Sequence, residues 1–326
     1  MEKFKPERKS ATVEVVGGNI SDQERIINHQ EFNFLNQVRL KNEREKTTEE
    51  LELIREINER LREFINQYGG QYIEVSADNM HFFTWEDIDT ETKSEFLSKR
   101  PDFTGFEGKF SPDDQSIYII HEEKTHKLKF ASTLVHELIH FMAFNSLSIL
   151  KKEDKKLTIG DRRLGFAVKK TKGRAYYFND INEALTVELE LEFKKRYFDK
   201  ISLTAKLEKE RQRLVKEFKS DLNVLDNEKS AIDDSTWIEK ISDGRYRYMV
   251  NVYNEEVNKL RDLIRDIFEN NPDEFNSLGE VFNLFTKAYF TGRLLPIAKL
   301  IEKTYGKGSF RELGENTKSK DEESLL

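Results

Sequence analysis

The chain has 326 residues, carries a net charge of -7 and contains no cysteine. That length fits one large domain or two domains of ordinary size. The acidic balance argues against a nucleic-acid-binding protein, because phosphate neutralisation needs a concentrated basic surface. The absence of cysteine excludes disulfides, iron–sulfur clusters and thiolate metal sites, so any metal must be held by histidine and carboxylate side chains.

Hydrophobic residues make up 37% of the chain and charged residues 35%, a balance typical of a soluble protein. Residues 1–10 are charged and lack the apolar run of a signal peptide. The chain has no run of the roughly 18 apolar residues that a membrane-spanning helix needs. We therefore expect a cytoplasmic protein without a membrane span.

The N-terminal part is predicted to be a flexible lead followed by helices. Residues 1 to about 20 are expected to form the flexible lead, which ends in Gly17, Gly18 and Asn19. The segment Ser21–Glu24 has the spacing of a capping box, which predicts a charged helix towards Lys46. A second, amphipathic helix is predicted from Thr48, and the glycines that follow Tyr68 end it.

Short segments with a β-strand pattern follow, at Tyr72–Val75, His81–Trp85, Phe106–Phe110 and Ile117–Ile120. The Pro-Asp-Asp sequence between the last two segments is typical of a tight turn. We therefore expect these two segments to form a hairpin.

The middle of the chain is predicted to combine two helices with a hairpin. A largely apolar helix is expected at Phe130–Leu147 and a basic loop at Lys151–Lys156. The hairpin strands are expected at Leu164–Lys169 and Ala175–Phe178. Asn179 or Asp180 is expected to cap the second helix, which ends near Phe198. From Ser202 onward the pattern is almost wholly helical, and the spacing of Phe282, Phe285 and Tyr289 indicates a helical core.

The strongest chemical signal is the run His136-Glu137-Leu138-Ile139-His140. Two histidines four residues apart project from one face of a helix, so both imidazoles can reach one tetrahedral zinc ion. Glu137 then lies beside the metal, where it can act as a general base for a water molecule. The alternative is a pair of core histidines that bond to backbone carbonyls, but burying two histidines and a glutamate is costly without a metal.

A catalytic zinc needs a third protein ligand, and the sequence Asn182-Glu183-Ala184 on the next predicted helix offers one. Together with the His136–His140 motif, this sequence resembles the gluzincin metallopeptidases, the thermolysin-like arrangement. The resemblance implies that His136, His140 and Glu183 bind one Zn²⁺ and that Glu137 is the catalytic base. It covers the two helices and the β-hairpin before them.

One position departs from the family pattern. In thermolysin-like sequences the residue four positions after the glutamate ligand is typically an acid that orients a zinc-binding histidine, but here it is Val187. Such partners tune the affinity and the orientation of the ligands. Thr186, Asp180 and Glu188 are the candidates to replace it.

Substrate contacts are predicted at two places. The run from Ser116 to Ile120, which includes Tyr118 and Ile119, is predicted to be an edge strand that pairs with an extended peptide, as in zincin-like folds. Near the third ligand, Tyr176 and Tyr177 are candidates to contact the substrate and to stabilise the oxyanion. Arg163 and Arg174 are further candidates for the oxyanion role.

The sequence therefore predicts a mainly helical α+β protein with a small, twisted, zincin-like sheet packed on the metal-binding helix. The expected divisions are a flexible and helical N-terminal lead at 1–47, a zincin-like catalytic domain at 48–200, a helical C-terminal subdomain at 201–313 and a disordered tail at 314–326.

The predicted function is zinc-dependent hydrolysis of a peptide or protein substrate. The alternatives are a catalytically weak or inactive zincin-like module that binds peptides or proteins, and a toxin- or effector-type metalloprotease with one specific target. The sequence leaves the oligomeric state open.

Overall fold

The computed structural model of the chain describes residues 13–99, 107–122, 125–153, 156–170, 176–221, 224–225, 229, 236–241, 244–249 and 253–315. Over these ranges the fold is mixed α/β, mostly helical, with small sheets. None of the helices in the described ranges combines the length and the apolar character needed to cross a membrane.

The N-terminal part begins with strand β1 (Val13–Val16), helix α1 (Ile20–Leu35) and helix α2 (Thr48–Gln67). The expectation of an unstructured lead is wrong over β1, because this strand pairs in parallel with a strand from the middle of the chain. The predicted Ser21 cap is also wrong, since the side chain of Asn19 accepts the N–H of Asp22 at 2.9 Å instead.

Helix α2 is the best-formed of the predicted N-terminal elements. A capping box between Thr47 and Glu50 begins it, and it ends at Gln67, just before Tyr68 and the two glycines that were predicted to stop it. The segment Tyr72–Val75, however, is not a strand. The backbone groups of Val75 bond to the side chain of Asn58 on α2, at 3.2 and 3.0 Å, in place of a neighbouring strand.

A three-stranded sheet follows, made of β2 (Met80–Thr84), β3 (Glu107–Ser111) and β4 (Ser116–His121), with α3 (Thr90–Lys99) between β2 and β3. The strand order is β2-β4-β3, with β2 parallel and β3 antiparallel to β4. The predicted hairpin of β3 and β4 is therefore confirmed.

Two helices carry the motif residues, α4 (Lys127–Met142) and α5 (Asn179–Tyr197). Helix α5 has no side-chain cap, which contradicts the predicted cap at Asn179 or Asp180. Its N-cap is Phe178, which adopts a left-handed backbone conformation with φ of 59°. The Phe178 ring packs on Phe310 at 4.6 Å between ring centroids, so a tertiary contact holds the residue that precedes the helix.

A five-stranded sheet is formed by β1 and by four strands that lie between these two helices in sequence. Its order is β1-β5-β6-β7-β8, with β5 at Asn145–Glu153, β6 at Lys156–Leu164, β7 at Ala167–Lys169 and β8 at Tyr176–Tyr177. The helix predicted to reach Leu147 thus ends at Met142. Most of the predicted basic loop belongs to the paired strands β5 and β6, whereas the predicted β7–β8 hairpin is confirmed.

The C-terminal part contains five helices over the described residues and one hairpin that the sequence did not predict. The elements are α6 (Ser202–Ser220), β9 (Trp237–Lys240), β10 (Tyr246–Met249), α7 (Asn254–Asn270), α8 (Leu278–Thr291), α9 (Leu295–Tyr305) and α10 (Ser309–Glu315). The rings of Tyr246 and Tyr248 pack on Phe218 of α6, which explains how this short hairpin is held. The predicted tail lies almost wholly outside the described residues.

The hydrophobic core is continuous from the N-terminal to the C-terminal helices, from Phe34 to Ile301. Phe285 and Tyr289 are fully buried within it, and Phe282 packs against it, as their spacing predicted. Burial of this apolar surface is the main force that holds α4, α5 and α8 together. The domain boundaries at 48, 201 and 314 stay predictions.

Candidate metal centre

Helix α4 places two imidazoles side by side. His136 and His140 are one helical turn apart, and their ring centroids lie 4.8 Å from each other. Apolar residues on either side of the motif, from Leu134 to Met142, are buried. The motif therefore lies on a core helix, with the two polar rings at its one polar face.

Helix α5 contributes the third group. One carboxylate oxygen of Glu183 lies 3.6 Å from Nε2 of His136 and 3.4 Å from Nε2 of His140. The three side chains offer ligand atoms that all lie within 4.8 Å of one another, and among the described residues this is the only His, Cys, Asp and Glu group with that geometry. The structure thus brings together the three residues that the sequence selected.

The donor set fits a zinc ion. Ligand atoms at about 2.0–2.1 Å from a tetrahedral Zn²⁺ are about 3.3–3.4 Å apart, close to the separations between Glu183 and the two imidazoles. Two neutral nitrogen donors and one carboxylate are a common catalytic zinc set that leaves a fourth position for water. All three side chains are at least four-fifths buried, which favours a bound cation over solvated side chains.

The second nitrogen of His136 also has a carboxylate partner. Nδ1 of His136 lies 3.2 Å from one oxygen of Glu190, and the hydroxyl of Ser132 donates to the other oxygen. Lys194 lies 3.7 Å from Glu190 and adds a positive charge on the far side. Glu190 therefore holds the ring of His136 with its Nε2 directed at Glu183.

The second nitrogen of His140 has hydroxyl partners. The phenol of Tyr289 on α8 lies 3.3 Å from Nδ1 of His140, and the hydroxyl of Thr186 lies 3.5 Å from the same atom. The two hydroxyls bond to each other at 2.9 Å. Both histidines are therefore positioned through Nδ1, which leaves Nε2 available as a ligand atom.

These contacts replace the acid that the family pattern has at position 187. Val187 itself is buried in the core. Of the three suggested replacements, Thr186 contacts a motif histidine, whereas Glu188 forms an ion pair with Arg261 at 2.5 Å. Glu190 and Tyr289, which also contact the motif histidines, were not predicted from the sequence. Glu190 is seven residues after Glu183, and this two-turn spacing on one helix face could have indicated it.

Glu137 lies between the metal group and strand β3. Its carboxylate accepts the backbone N–H of Phe110 at 2.7 Å, and its side chain is buried. The backbone of β3 approaches so closely that a Cβ on Gly108 would lie 2.8 Å from Glu137 and 2.4 Å from Thr133. Glycine at 108 thus allows the strand to hold the carboxylate beside the two imidazoles.

The charges in this group perturb one another. Burial lowers the pKa of His136, but the carboxylates of Glu183 and Glu190 outweigh burial and hold that pKa well above its usual value. Burial raises the pKa of Glu183, yet both imidazoles hold it well below its usual range. Burial raises the pKa of Glu137, and the two histidines only partly offset this effect. A buried base with a raised pKa is suited to proton transfer near neutral pH.

The predicted edge strand is wrong. Strand β4 lies in the centre of its sheet, with β2 on one side and β3 on the other, so it has no free edge for a substrate. Ile119 is fully buried, and the hydroxyl of Tyr118 donates to Asp114. Strand order is decided by pairing between distant segments, which the local pattern at 116–120 does not report. The strand beside Glu137 is β3.

The other candidate substrate residues have different surroundings. Arg163 donates to the backbone carbonyls of Gly165 and Gly292, at 2.7 and 2.6 Å, which is a structural role. Tyr176 and Tyr177 are half-buried in β8, immediately before α5, and their role stays a prediction. Arg174 lies outside the described residues. One aromatic side chain that the sequence did not select, Tyr253, stacks parallel to the His136 ring at 6.3 Å between centroids.

The remaining histidines do not join the metal group. His81 bonds to Glu43 at 2.9 Å and stacks on Tyr118, on the face of the three-stranded sheet away from α4. His121 bonds to Arg44, and His126 caps α4. Comparison of the chain with protein-family models, with curated proteins and with solved structures found no significant match.

Proposed function

We propose that this protein is a zinc-dependent peptidase with a zincin-like catalytic part. The observation that carries the proposal is the convergence of Glu183 with His136 and His140 from two separate helices, with Glu137 beside them. A general base next to a three-ligand group with an open position is the arrangement that metal-assisted hydrolysis needs. The small sheet packed on α4 supports the zincin-like assignment.

His136, His140 and Glu183 would hold the ion. A bound Zn²⁺ would polarise the scissile carbonyl as a Lewis acid and make a water molecule more acidic. Glu137 would take a proton from the attacking water and later give that proton to the leaving amine. The N–H of Phe110 fixes the Glu137 carboxylate, so little reorganisation is needed when the proton moves.

Strand β3 is the proposed place for an extended substrate. Because the N–H of Phe110 points to Glu137, the backbone polar groups of Phe110 and Gly108 face away from β4. The N–H and C=O of Gly108 thus lie along the edge of β3 that no described strand covers, beside the Glu137 carboxylate. A peptide that pairs with this edge would bring a carbonyl to the metal group.

A peptide-library assay tests the proposal. We expect cleavage by the wild-type protein that a chelator abolishes and that added zinc restores. Glu137→Gln keeps the size of the side chain but removes the base, so we expect full zinc content and about 100- to 10,000-fold lower turnover. Glu188→Gln, an exchange of the same kind at the ion pair with Arg261, should leave turnover unchanged.

Two outcomes would contradict the peptidase proposal. Unchanged turnover in Glu137→Gln would exclude the mechanism. If the protein binds stoichiometric zinc but cleaves no peptide, a zincin-like binding module is favoured instead. If it cleaves one protein in a proteome digest but no library peptide, a single-target metalloprotease is favoured.

A further inference from the structure

A chain of hydroxyl groups connects the metal group to helix α8 in the C-terminal part of the protein. When Nε2 of a neutral histidine is a metal ligand, its proton resides on Nδ1, so His140 must donate from Nδ1. The nearer acceptor is the phenol oxygen of Tyr289, at 3.3 Å, and the hydroxyl oxygen of Thr186 lies farther away, at 3.5 Å. The phenol then donates to Thr186 at 2.9 Å, and Thr186 donates to the backbone carbonyl of Asn182 at 2.8 Å.

The direction of this chain is determined at its far end. A carbonyl can only accept, so the Thr186 proton points to Asn182, and the Tyr289 proton must point to Thr186. The phenol oxygen is thus left as an acceptor for His140. Asn182 itself is anchored, because its side-chain oxygen accepts the N–H of Phe166 at 2.9 Å. Each of the two hydroxyl groups therefore donates to one defined acceptor.

The ring of Tyr289 can occupy this position only when α8 is docked on the rest of the protein. The backbone carbonyl of Tyr289 accepts the N–H of Phe144 at 3.0 Å, just after α4. Gly165, with φ of 54°, makes room for the ring, since a Cβ there would lie 2.6 Å from it. The ring is fully buried, so a displaced α8 would remove the phenol from His140 altogether.

We propose that Tyr289 is a positioning residue for the metal ligand His140, and that metal binding and the docking of α8 are therefore thermodynamically coupled. The inference rests on the metal centre of the proposed function but not on peptidase activity. Coupling is reciprocal: if docked Tyr289 strengthens zinc binding by some factor, bound zinc strengthens the docking of α8 by the same factor. The C-terminal helices thereby become part of the metal site.

The test compares Tyr289→Phe with Tyr72→Phe. Both remove one phenol hydroxyl, and that of Tyr72 donates to Asn58 at 3.1 Å, away from the metal group. Zinc affinity is measured by competition with a chromophoric chelator. Partners of metal-bound histidines commonly contribute about 10- to 100-fold to affinity, and for a neutral partner we expect about tenfold weaker binding in Tyr289→Phe and no change in Tyr72→Phe.

Hydrogen exchange with zinc and with chelator measures the docking side of the cycle. In the wild type, zinc should slow the exchange of α8 amides more than that of α2 amides. This additional protection of α8 by zinc should fall about tenfold in Tyr289→Phe. Thr186→Val interrupts the same chain from α5, and it should weaken zinc binding as well even if Tyr289→Phe folds poorly. Unchanged zinc affinity in both variants, or an equal effect of zinc on α2 and α8, would overturn the coupling.

Peptidase activity and the coupling of zinc binding to α8 docking can be disproved separately. Zinc binding without peptidase activity would remove the proposed reaction and leave the coupling intact. Full peptidase activity with unaltered zinc affinity in Tyr289→Phe would remove the coupling and leave the reaction. No zinc binding by the wild-type protein would overturn both.

Discussion

Glu190 and Glu183 hold the two nitrogens of one imidazole, because Nδ1 of His136 lies 3.2 Å from Glu190 and Nε2 lies 3.6 Å from Glu183. The two glutamates are on the same face of α5, two turns apart. In the proposed metal centre, Glu183 is the ligand and Glu190 is the group that orients the ring. Glu190 is therefore the acid that contacts Nδ1 of His136, a role that Val187 cannot fill because its side chain has no polar group.

Replacing Glu190 by Gln should weaken zinc binding. The exchange keeps the size of the side chain but removes the charge that holds Nδ1–H of His136, so we expect about 10- to 100-fold lower zinc affinity. Glu192→Gln is the matched control, because Glu192 lies on the same helix but contacts Tyr68 and Arg196. Equal zinc affinity of the two variants would show that Glu190 does not orient the ligand.

Removing a zinc ligand should lower the zinc affinity more than replacing Glu190, the partner of a ligand. We expect His136→Ala and Glu183→Ala to lose more than about 100-fold in zinc affinity, since each leaves only two protein ligands. Metal analysis after dialysis measures this directly, with Glu188→Ala as the control on the same helix. If Glu183→Ala retained stoichiometric zinc at wild-type affinity, the three-ligand centre would be wrong.

Gly108 tests whether the close approach of β3 matters. Alanine there would place a methyl group 2.8 Å from Glu137 and 2.4 Å from Thr133, so strand and carboxylate must move apart. We expect a loss of about 1–3 kcal/mol in the free energy of unfolding and about a 100-fold fall in turnover, with zinc retained.

The control is Gly279→Ala in α8, where a Cβ meets nothing closer than 3.6 Å. That exchange should stabilise the fold by about 0.5–1 kcal/mol without changing turnover. Denaturant titrations and peptidase assays of the two variants measure both quantities. Wild-type turnover in Gly108→Ala would mean that Glu137 does not depend on the strand.

The raised pKa of His136 predicts a pH dependence with a definite sign. In the metal-free protein the folded state binds this proton more tightly than the unfolded state, whose histidine titrates near 6.5. The stabilisation is therefore complete below that pH and is lost as the pH rises through the higher folded pKa. The raised pKa of Glu137 acts in the same direction.

Zinc binding should depend on pH in the opposite way, because the proton on His136 must leave before Nε2 can bind a cation. We expect the zinc-induced increase in thermal unfolding temperature to grow from pH 6 to pH 8. Unfolding scans with zinc and with chelator across this range measure the difference. An increase that is the same at every pH would contradict a protonated His136 in the metal-free protein.

The identity of the metal-group residues could be predicted because their signals are local. His136, Glu137 and His140 follow from the spacing of one motif on a helix, whereas Glu183 was implied by the resemblance of Asn182-Glu183-Ala184 to the gluzincin pattern. Tyr289 was placed correctly in the core, since apolar periodicity reports burial. Its contact with His140 could not be predicted, because nothing in a spacing of aromatic residues says which distant helix they meet.

The sequence by itself determined the residue types that can bind a metal, the helices that present them and the absence of any thiolate alternative. Tertiary structure alone decided that β3 and not β4 lies beside Glu137 and that Phe178 is the N-cap of α5. It also decided that Glu190, Thr186 and Tyr289 contact the two imidazoles. The physical reason is the distance along the sequence over which the interactions act. Helix spacing is set by hydrogen bonds between near neighbours, whereas strand order and contacts between helices are set by how the whole apolar surface is buried.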